Sequence, residues 1–388
     1  MTRATSTPRS SRRASANGHR PLPAGRTAGL TPVATPRRSP RPRAAGAPPP
    51  GPPRLPLASA SLRALTSIPA LLSPTRLAAL RRDLPASAMA ATGMLALRLR
   101  ELTGRDLIDL ESLQELISVY YRAAAVHEQH RRGEFDIDDF GFDQEWTEAL
   151  MPIFRVVSRR YWRVETSGLD NLPRSGGALL VANHAGVLPW DGAMITTAVY
   201  DAVDRHSRAL VAGWFGSLPV ASWFLRRSGQ TQGHPDDTLR LLRGGELVLV
   251  FPEGIRGTGK LWNERYRLRR FGRGGFAEVA MRAGVPIIPV SVIGSEETYP
   301  MIADVQPLAR LLGMPYFPIT PTWPLLGPLG LLPLPSKWRI TFHPPVTAGS
   351  PDDDPEPALV MEAADSIRRT IQQGVVEDLM RRQRVFRG

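Results

Sequence analysis

Short apolar runs alternate with helix-like segments from about residue 166 onward. The apolar runs predict strands at 178–182, 209–212, 247–251, 287–292 and 338–342. The intervening segments predict helices near 192–203, 219–227 and 275–283. Because such alternation is typical of helices packed on one sheet, we expect an α/β domain over residues 165–350. Ligands on these sheets usually bind beyond the carboxyl ends of the strands.

Helical spacing of apolar residues dominates on both sides of this domain. Residues 61–164 are predicted to form a helical lead-in, in which Trp146, Phe154 and Tyr161 mark one apolar stripe. The arginines near that stripe leave open an interfacial membrane helix, but packing against the core is the favoured interpretation. Residues 351–388 repeat apolar positions every four residues and predict a C-terminal amphipathic helix that packs on the domain.

The positive charge of the chain is concentrated at its beginning. Fifteen arginines and no acidic residue precede Asp83, so residues 1–82 carry a charge of +15. The net charge of the whole chain is +13, and residues 83–388 therefore carry −2. Residues 1–60 contain 13 prolines and few large apolar residues, so they are predicted to form a disordered basic tail. Attraction to anionic lipid is a second interpretation of this tail. Nucleic-acid binding is not expected, because no aromatic residues interleave with the arginines.

No apolar segment predicts a transmembrane helix. The longest uncharged stretch, residues 311–336, contains seven prolines, which remove backbone donors and break helices. It is predicted either to enter the headgroup region of a membrane or to pack as a long loop on the sheet. No secretory signal is recognised at Arg12-Arg13, so the chain is expected on the cytoplasmic side. The absence of cysteine excludes disulfides, zinc–thiolate sites and cysteine nucleophiles.

The first candidate for chemistry is the segment from Asn183-His184 to Asp191, directly after a predicted strand. A histidine can act as a general base, and a carboxylate can fix its tautomer. A helix over 184–191 would separate the two side chains by about 10 Å along its axis. Gly186 and Pro189 instead predict a loop that can bring them together. The alternatives are a buried structural histidine and an aspartate that only caps a helix.

The second candidate is Phe251-Pro252-Glu253-Gly254-Ile255-Arg256, which also follows a strand. Its carboxylate can accept a hydrogen bond from a hydroxyl, and its guanidinium can hold an anion at the same rim. An ordinary turn with a surface ion pair is the alternative. A third segment, Val285–Val290, has proline near both ends and is expected only to shape the sheet.

Together these segments resemble the glycerolipid acyltransferase family, whose type members acylate lysophosphatidic acid. The family's Asn-His…Asp, Phe-Pro-Glu-Gly-x-Arg and Val-Pro-Ile-x-Pro-Val blocks correspond to 183–191, 251–256 and 285–290, and the resemblance spans about residues 165–345. It implies a mixed sheet flanked by helices and transfer of a fatty acyl group to a glycerolipid hydroxyl. It also implies His184 and Asp191 as catalytic residues and a substrate-binding set of Asn183, Phe251, Pro252, Glu253, Gly254 and Arg256.

The same resemblance implies acyl-CoA or acyl carrier protein as co-substrate, no cofactor and no metal. The acceptor would be a membrane lipid, reached from the cytoplasmic face by a peripherally bound protein, with the basic tail and residues 311–336 as candidate membrane contacts. Two features differ from the family pattern. Six residues rather than four separate His184 from Asp191, and residues 213–217, in the second block, contain no basic residue. A neutral acceptor (mono- or diacylglycerol, a glycolipid or an alcohol) and a catalytically silent lipid-binding protein are therefore the alternatives.

Overall fold

The protein is described by a computed structural model that covers residues 110–216, 219–347, 351 and 354–386. The predicted tail at residues 1–60, and the lead-in up to residue 109, lie outside the described residues. In the described part of the chain, every helix is too short or too polar to cross a membrane.

A seven-stranded sheet forms the centre of the fold. Its strands, numbered in chain order, are β1 (Glu165–Ser167), β2 (Ala178–Ala182), β3 (Ser207–Val211), β4 (Thr231–Gln232), β5 (Leu247–Val250), β6 (Ile287–Ile293) and β9 (Arg339–Phe342). They are arranged in the order β1-β9-β6-β2-β5-β3-β4. Only the β6–β9 pair is antiparallel, so the sheet is mixed, as expected. A separate two-stranded ribbon pairs β7 (Ala303–Asp304) with β8 (Pro318–Ile319).

Helices cover both faces and one end of the sheet. The α-helices are α1 (Leu110–Arg131), α2 (Gln144–Val156), α3 (Trp190–Val203), α4 (Gly213–Gly216), α5 (Pro219–Arg227), α6 (Pro235–Arg243), α7 (Ile255–Thr258), α8 (Gly275–Ala283), α9 (Gln306–Leu312) and α10 (Pro357–Arg381). Helix α2 continues into a π-helical turn, Val157–Tyr161. Short 3-10 turns occur at Leu169–Asn171, Trp262–Glu264 and Gly327–Leu331.

Strands β2, β5 and β6 are continuous apolar runs because both of their faces are covered. Every residue of β2 and β6 is buried. One face packs against α3 and three tryptophans, of which Trp162 and Trp338 stack with ring centroids 4.8 Å apart and Trp190 lies edge-on to Trp162. The other face packs against α6, α8 and α10. The core therefore holds β2 and β5 rigidly at the centre of the sheet.

The structure confirms most predicted helices and strands, and some of them begin or end at residues other than the predicted ones. The predicted helices at 219–227 and 275–283 match, and the strand predicted at 209–212 lies at Ser207–Val211. The C-terminal helix ends at Arg381 and buries Ile367, Ile371 and Val375, as its spacing predicts. Helices α4, α6, α7 and α9 and the short strands β1, β4, β7 and β8 were not predicted. Two- and three-residue strands carry no periodic signal.

The apolar stripe of α2 and the following turn lies mainly on the core. Phe154, Val157 and Tyr161 pack against the tryptophan-rich cluster, whereas Ile153 is exposed. The helix begins at Asp143, whose carboxylate accepts the N–H of Trp146 at 3.0 Å. The packing interpretation of this stripe is therefore confirmed for three of its members.

Gly168 offers a test of the close approach between the β1 end and β9. It has a φ of +70°, and a Cβ atom there would collide with the carbonyl oxygen of Phe342. Gly133 has a similar φ of +74° with no atom within 4 Å of the same position. We expect Gly133→Ala to cost about 1 kcal/mol for its left-handed backbone, and Gly168→Ala to cost roughly 2 kcal/mol more because β9 must shift. Urea unfolding measures both variants, and equal losses would contradict the close approach.

Candidate active site

The two candidate segments meet at one edge of the sheet. Strands β2 and β5 are parallel neighbours in which Val181 pairs with Val250. The loop that begins at Asn183 and the turn that begins at Phe251 therefore leave the sheet side by side. The sequence predicted that each segment follows a strand. The two segments meet because those strands are neighbours in the sheet.

His184 and Asp191 form a direct pair, as the loop prediction requires. The Nδ1 atom of His184 lies 2.7 Å from Oδ2 of Asp191, whose carboxylate is fully buried. Asp191 also accepts the N–H of Ala185 at 3.0 Å and that of Gly192 at 2.9 Å. Because a carboxylate only accepts, Nδ1 carries the hydrogen and Nε2 is left as the basic nitrogen. The His184 side chain is 12% exposed, so Nε2 is within reach of a ligand.

Phe251 packs on the histidine ring, and Asn183 secures the backbone beside it. The Phe251 ring stacks on the imidazole with centroids 4.1 Å apart and planes inclined by 22°. Asn183 is buried and uses its amide on the backbone of Val292 in β6, donating at 2.9 Å and accepting at 2.8 Å. The structure thus places Asn183 as a clamp between β2 and β6. Its predicted contact with substrate stays a prediction.

Glu253 forms a bridge behind the histidine. Its Oε1 accepts the backbone N–H of His184 at 2.9 Å, and its Oε2 accepts that of Arg269 at 2.6 Å. The side chain is fully buried. Its two oxygens thus meet donors from the chain itself, so the residue predicted to accept from a substrate hydroxyl also holds His184 in place.

Lys260 neutralises this buried carboxylate. Its Nζ lies 3.4 Å from Glu253 Oε2 and 3.0 Å from Glu296 Oε1, and its side chain is 3% exposed. Burial alone would lower the pKa of Lys260, but Glu296 and then Glu253 outweigh it, and the pKa is raised. Burial raises the pKa of Glu296, against the pull of Lys260. The structure thus encloses Lys260 between the carboxylates of Glu253 and Glu296.

Two glycines explain the turn that carries Glu253. Gly254 has φ 54° and ψ −146°, a backbone conformation essentially restricted to glycine. Gly257 packs directly on the loop between His184 and Asp191, where a Cβ atom would lie 2.7 Å from the carbonyl oxygen of His184 and 2.8 Å from its Cβ. Helix α7 can therefore approach His184 only with glycine at position 257.

The remaining predicted residues lie at the rim. Pro252 is half-buried in the turn, and Arg256 is exposed on α7 with no acidic partner among the described residues. Sequence reasoning missed Glu296 and the Arg269 backbone, because no spacing relates them to Glu253. A narrow recess with about 250 Å³ of empty space, part of it open to solvent, begins at Gly186 in the loop between His184 and Asp191. Its other walls include Thr258, Lys260, Trp262, Arg265, Tyr299 and Met301.

Several known proteins are similar to this chain. The Acyltransferase family model matches residues 163–293. Uncharacterized proteins of Mycobacterium tuberculosis and Mycobacterium leprae are each 47% identical, over 71% of this chain and 78% and 77% of their own lengths. A human protein named DGAT1/2-independent enzyme synthesizing storage lipids is 26% identical over 41% of this chain and 48% of its own. The crystal structure of a Thermotoga maritima 1-acyl-sn-glycerophosphate acyltransferase covers 69% of this chain and 98% of its own, with 18% identity and a TM-score of 0.41.

Lys260→Met tests the charge balance behind the histidine. Removing one partner of a buried ion pair costs about 3–5 kcal/mol, so the free energy of unfolding should fall by that order near neutral pH. The pKa of Glu296 is already raised and rises further without Lys260, so the folded state of the variant binds more protons than the unfolded state. The variant therefore keeps its stability below pH 4.5, the ordinary pKa of Glu296. It loses stability as the pH rises through the raised pKa of that carboxyl.

Lys337→Met is the matched control, because Lys337 pairs at 2.8 Å with a half-exposed carboxylate, that of Glu165. This variant should lose about 1 kcal/mol or less, and that small loss should disappear as the pH falls below 4.5, because Lys337 lowers the pKa of Glu165 in the folded wild type. Urea unfolding of both variants at several pH values above and below 4.5 measures the difference. Equal and pH-independent losses would show that the Lys260 charge is not needed inside the protein.

Proposed function

Because the chain belongs to the glycerolipid acyltransferase family, we propose that it transfers a fatty acyl group from acyl-CoA or acyl carrier protein to a glycerolipid hydroxyl, as in 1-acylglycerol-3-phosphate. The observation that carries this proposal is the 2.7 Å contact between His184 Nδ1 and a buried Asp191 carboxylate. It leaves Nε2 of a partly exposed imidazole to act as a base. A lipid-binding protein without catalysis would have no need of this pair.

In the proposed reaction the acceptor hydroxyl gives its proton to Nε2 of His184. The hydroxyl oxygen attacks the thioester carbonyl, and Asp191 stabilises the imidazolium that forms. As the tetrahedral intermediate collapses, the carbon–sulfur bond breaks and the proton passes from His184 to the leaving thiolate. The products are an ester and a free thiol, without a covalent intermediate on the enzyme.

Backbone donors for the oxyanion are available in the catalytic loop. Ala185 uses its N–H on Asp191, whereas the N–H groups of Gly186 and Val187 have no acceptor within the described ranges. Gly186 has a φ of +82°, so an L-residue there would be strained. Preorganised N–H groups of this kind stabilise a developing negative charge, and we propose Gly186 and Val187 for that role.

Arg256 supports a phosphorylated acceptor. It is exposed on α7, beside the turn that carries Glu253, and meets no acidic side chain among the described residues. A guanidinium in that position suits a phosphate group two carbons from the reacting hydroxyl. Glu253 and Asn183, predicted to bind substrate, would act here mainly by holding the loop.

A neutral acceptor is the second candidate, and a specific observation favours it. Residues 213–217 contain no basic residue, although this block carries cations in many family members. The human relative named for storage-lipid synthesis matches 159 residues of this chain. Diacylglycerol or monoacylglycerol would then replace the phosphorylated acceptor at the same His184 base.

Acyl transfer from labelled oleoyl-CoA tests the function. We expect transfer to lysophosphatidic acid, monoacylglycerol or diacylglycerol, and a loss of kcat by about 10³-fold or more in His184→Ala, since the general base is removed. Transfer only to the neutral lipids would select the second candidate. Asp191→Asn should also lose activity, because it no longer fixes the tautomer.

The control is His234→Ala, which removes an exposed histidine outside the site. It should keep the wild-type rate. Transfer to none of the three acceptors, or transfer unchanged in His184→Ala, would sink the mechanism.

We also propose that residues 311–336 place the site at the cytoplasmic face of a membrane, with the protein bound peripherally. Several leucines of this segment are largely exposed: Leu311, Leu312, Leu325, Leu326, Leu329, Leu331 and Leu332. The segment contacts the catalytic loop, since Tyr316 donates to the Val187 carbonyl at 2.7 Å. Tyr299 similarly joins Trp190 to the Leu331 carbonyl. An apolar patch beside the site suits a lipid surface.

Replacing Leu325, Leu326 and Leu329 together with serine tests this surface. Each side chain gives up apolar area that would enter the bilayer, so binding to phosphatidylglycerol-containing vesicles should fall roughly tenfold or more. The matched control replaces Leu359, Val376 and Met380, which are similarly exposed on α10, and should bind as the wild type does. Co-sedimentation measures both, and equal binding by the two variants would argue against this face.

A further inference from the structure

An unusual concentration of positive charge lies directly after the candidate site. Residues 256–273 contain seven basic residues and one acidic residue, a local charge of +6. The rest of residues 83–388 carries −8, since that whole region has a charge of −2. A domain that is otherwise acidic therefore presents one strongly basic segment. Such a field attracts anions from solution.

Some of these cations are already used by the protein. Lys260 is enclosed by Glu253 and Glu296. Arg265 stacks on Trp262, with its guanidinium carbon 4.4 Å from the ring centroid, and Arg269 pairs with Glu264 at 2.6 Å. These contacts account for the partly buried members of the segment.

Three other arginines of this segment are exposed and face no acidic partner within the described ranges: Arg267, Arg270 and Arg273. We call these three residues the arginine strip. The net charge of +6 over residues 256–273 creates a positive potential around them, which favours a bound anion. Guanidinium groups bind phosphate through paired hydrogen bonds, so a phosphorylated ligand fits them best.

The strip is tied by its backbone to the catalytic loop. The Arg269 N–H donates to the same Glu253 carboxylate that accepts from His184. The Arg267 carbonyl accepts from Lys260 Nζ at 3.4 Å. The recess that begins at Gly186 is also lined by Arg265, two positions before Arg267. The backbone beside the strip therefore adjoins the loop that carries His184.

We propose that Arg267, Arg270 and Arg273 bind the phosphate groups at the nucleotide end of acyl-CoA, with the pantetheine arm leading from them toward His184. This inference rests on the proposed acyl transfer. It favours the donor over the acceptor because the nucleotide phosphates are separated from the thioester by the whole pantetheine arm. In lysophosphatidic acid the phosphate is only two carbons from the reacting hydroxyl, so it would stay near Arg256 on α7.

Arg267→Gln/Arg270→Gln/Arg273→Gln in the full chain tests the assignment. Calorimetry with free CoA measures binding without catalysis, and the variant should bind roughly tenfold or more weakly. Its KM for oleoyl-CoA should rise by a similar factor. Its kcat/KM for oleoyl-pantetheine, which lacks the phosphates, should stay within about twofold of wild type because only phosphate contacts are lost.

The matched control is Arg122→Gln/Arg132→Gln/Arg174→Gln, which removes three exposed arginines away from the site and the same total charge. It should bind CoA as the wild type does. Equal weakening in both variants would mean that only net charge matters, and would overturn the assignment of the strip.

Three other results would also overturn it. These are unchanged CoA binding in the strip variant, a rise only in the KM for lysophosphatidic acid, and lost binding to anionic vesicles with unchanged kinetics in detergent. The proposed function fails separately. If wild-type protein transfers no acyl group but binds CoA, and the strip variant does not, the phosphate site stands and the reaction must be revised.

Discussion

The buried carboxylate of Glu253 is the interaction on which the candidate site depends. A charge in the protein interior costs several kcal/mol unless donors and a counter-charge replace water. Here two backbone N–H groups and the Lys260 ammonium do so. One donor is that of His184, so the position of the imidazole follows from how this carboxylate is satisfied. The turn after β5 therefore supports the histidine from behind, whatever else it contacts.

The sheet makes that arrangement possible. Strands β2 and β5 are parallel and adjacent, so the histidine and glutamate segments emerge at the same edge although 69 residues separate His184 from Glu253. The contact further requires Gly257, whose missing Cβ lets α7 reach the His184 carbonyl. Asp191 enters from the first turn of α3 and Asn183 secures the loop to β6. Backbone contacts from three strands thus fix a side chain that must stay partly open to solvent.

Local sequence patterns were sufficient to predict some parts of this site. Strands β2, β5 and β6 are buried apolar runs, and Gly186 and Pro189 indicate the loop that joins His184 to Asp191. Such patterns could not reach the pairing of Lys260 with Glu296, because that contact depends on how β6 and the following turn are placed in space. The burial of Lys260 was equally out of reach, since nothing in its neighbours along the chain reveals it. The edge strand β4 was not predicted because its two residues carry no periodic signal.

Lys260 and the exposed arginines of residues 256–273 have different roles because lysine and arginine carry different cationic groups. Lysine carries a compact ammonium on a flexible stem, so Lys260 can be enclosed between two carboxylates that satisfy it from opposite sides. Arginine carries a planar group that binds phosphate through paired hydrogen bonds, and the exposed positions 267, 270 and 273 are all arginine. The buried cation thus stabilises the site from within. The exposed arginines remain available for a ligand. Lys260 therefore supports the His184 loop through Glu253, whereas the exposed arginines can bind an anion.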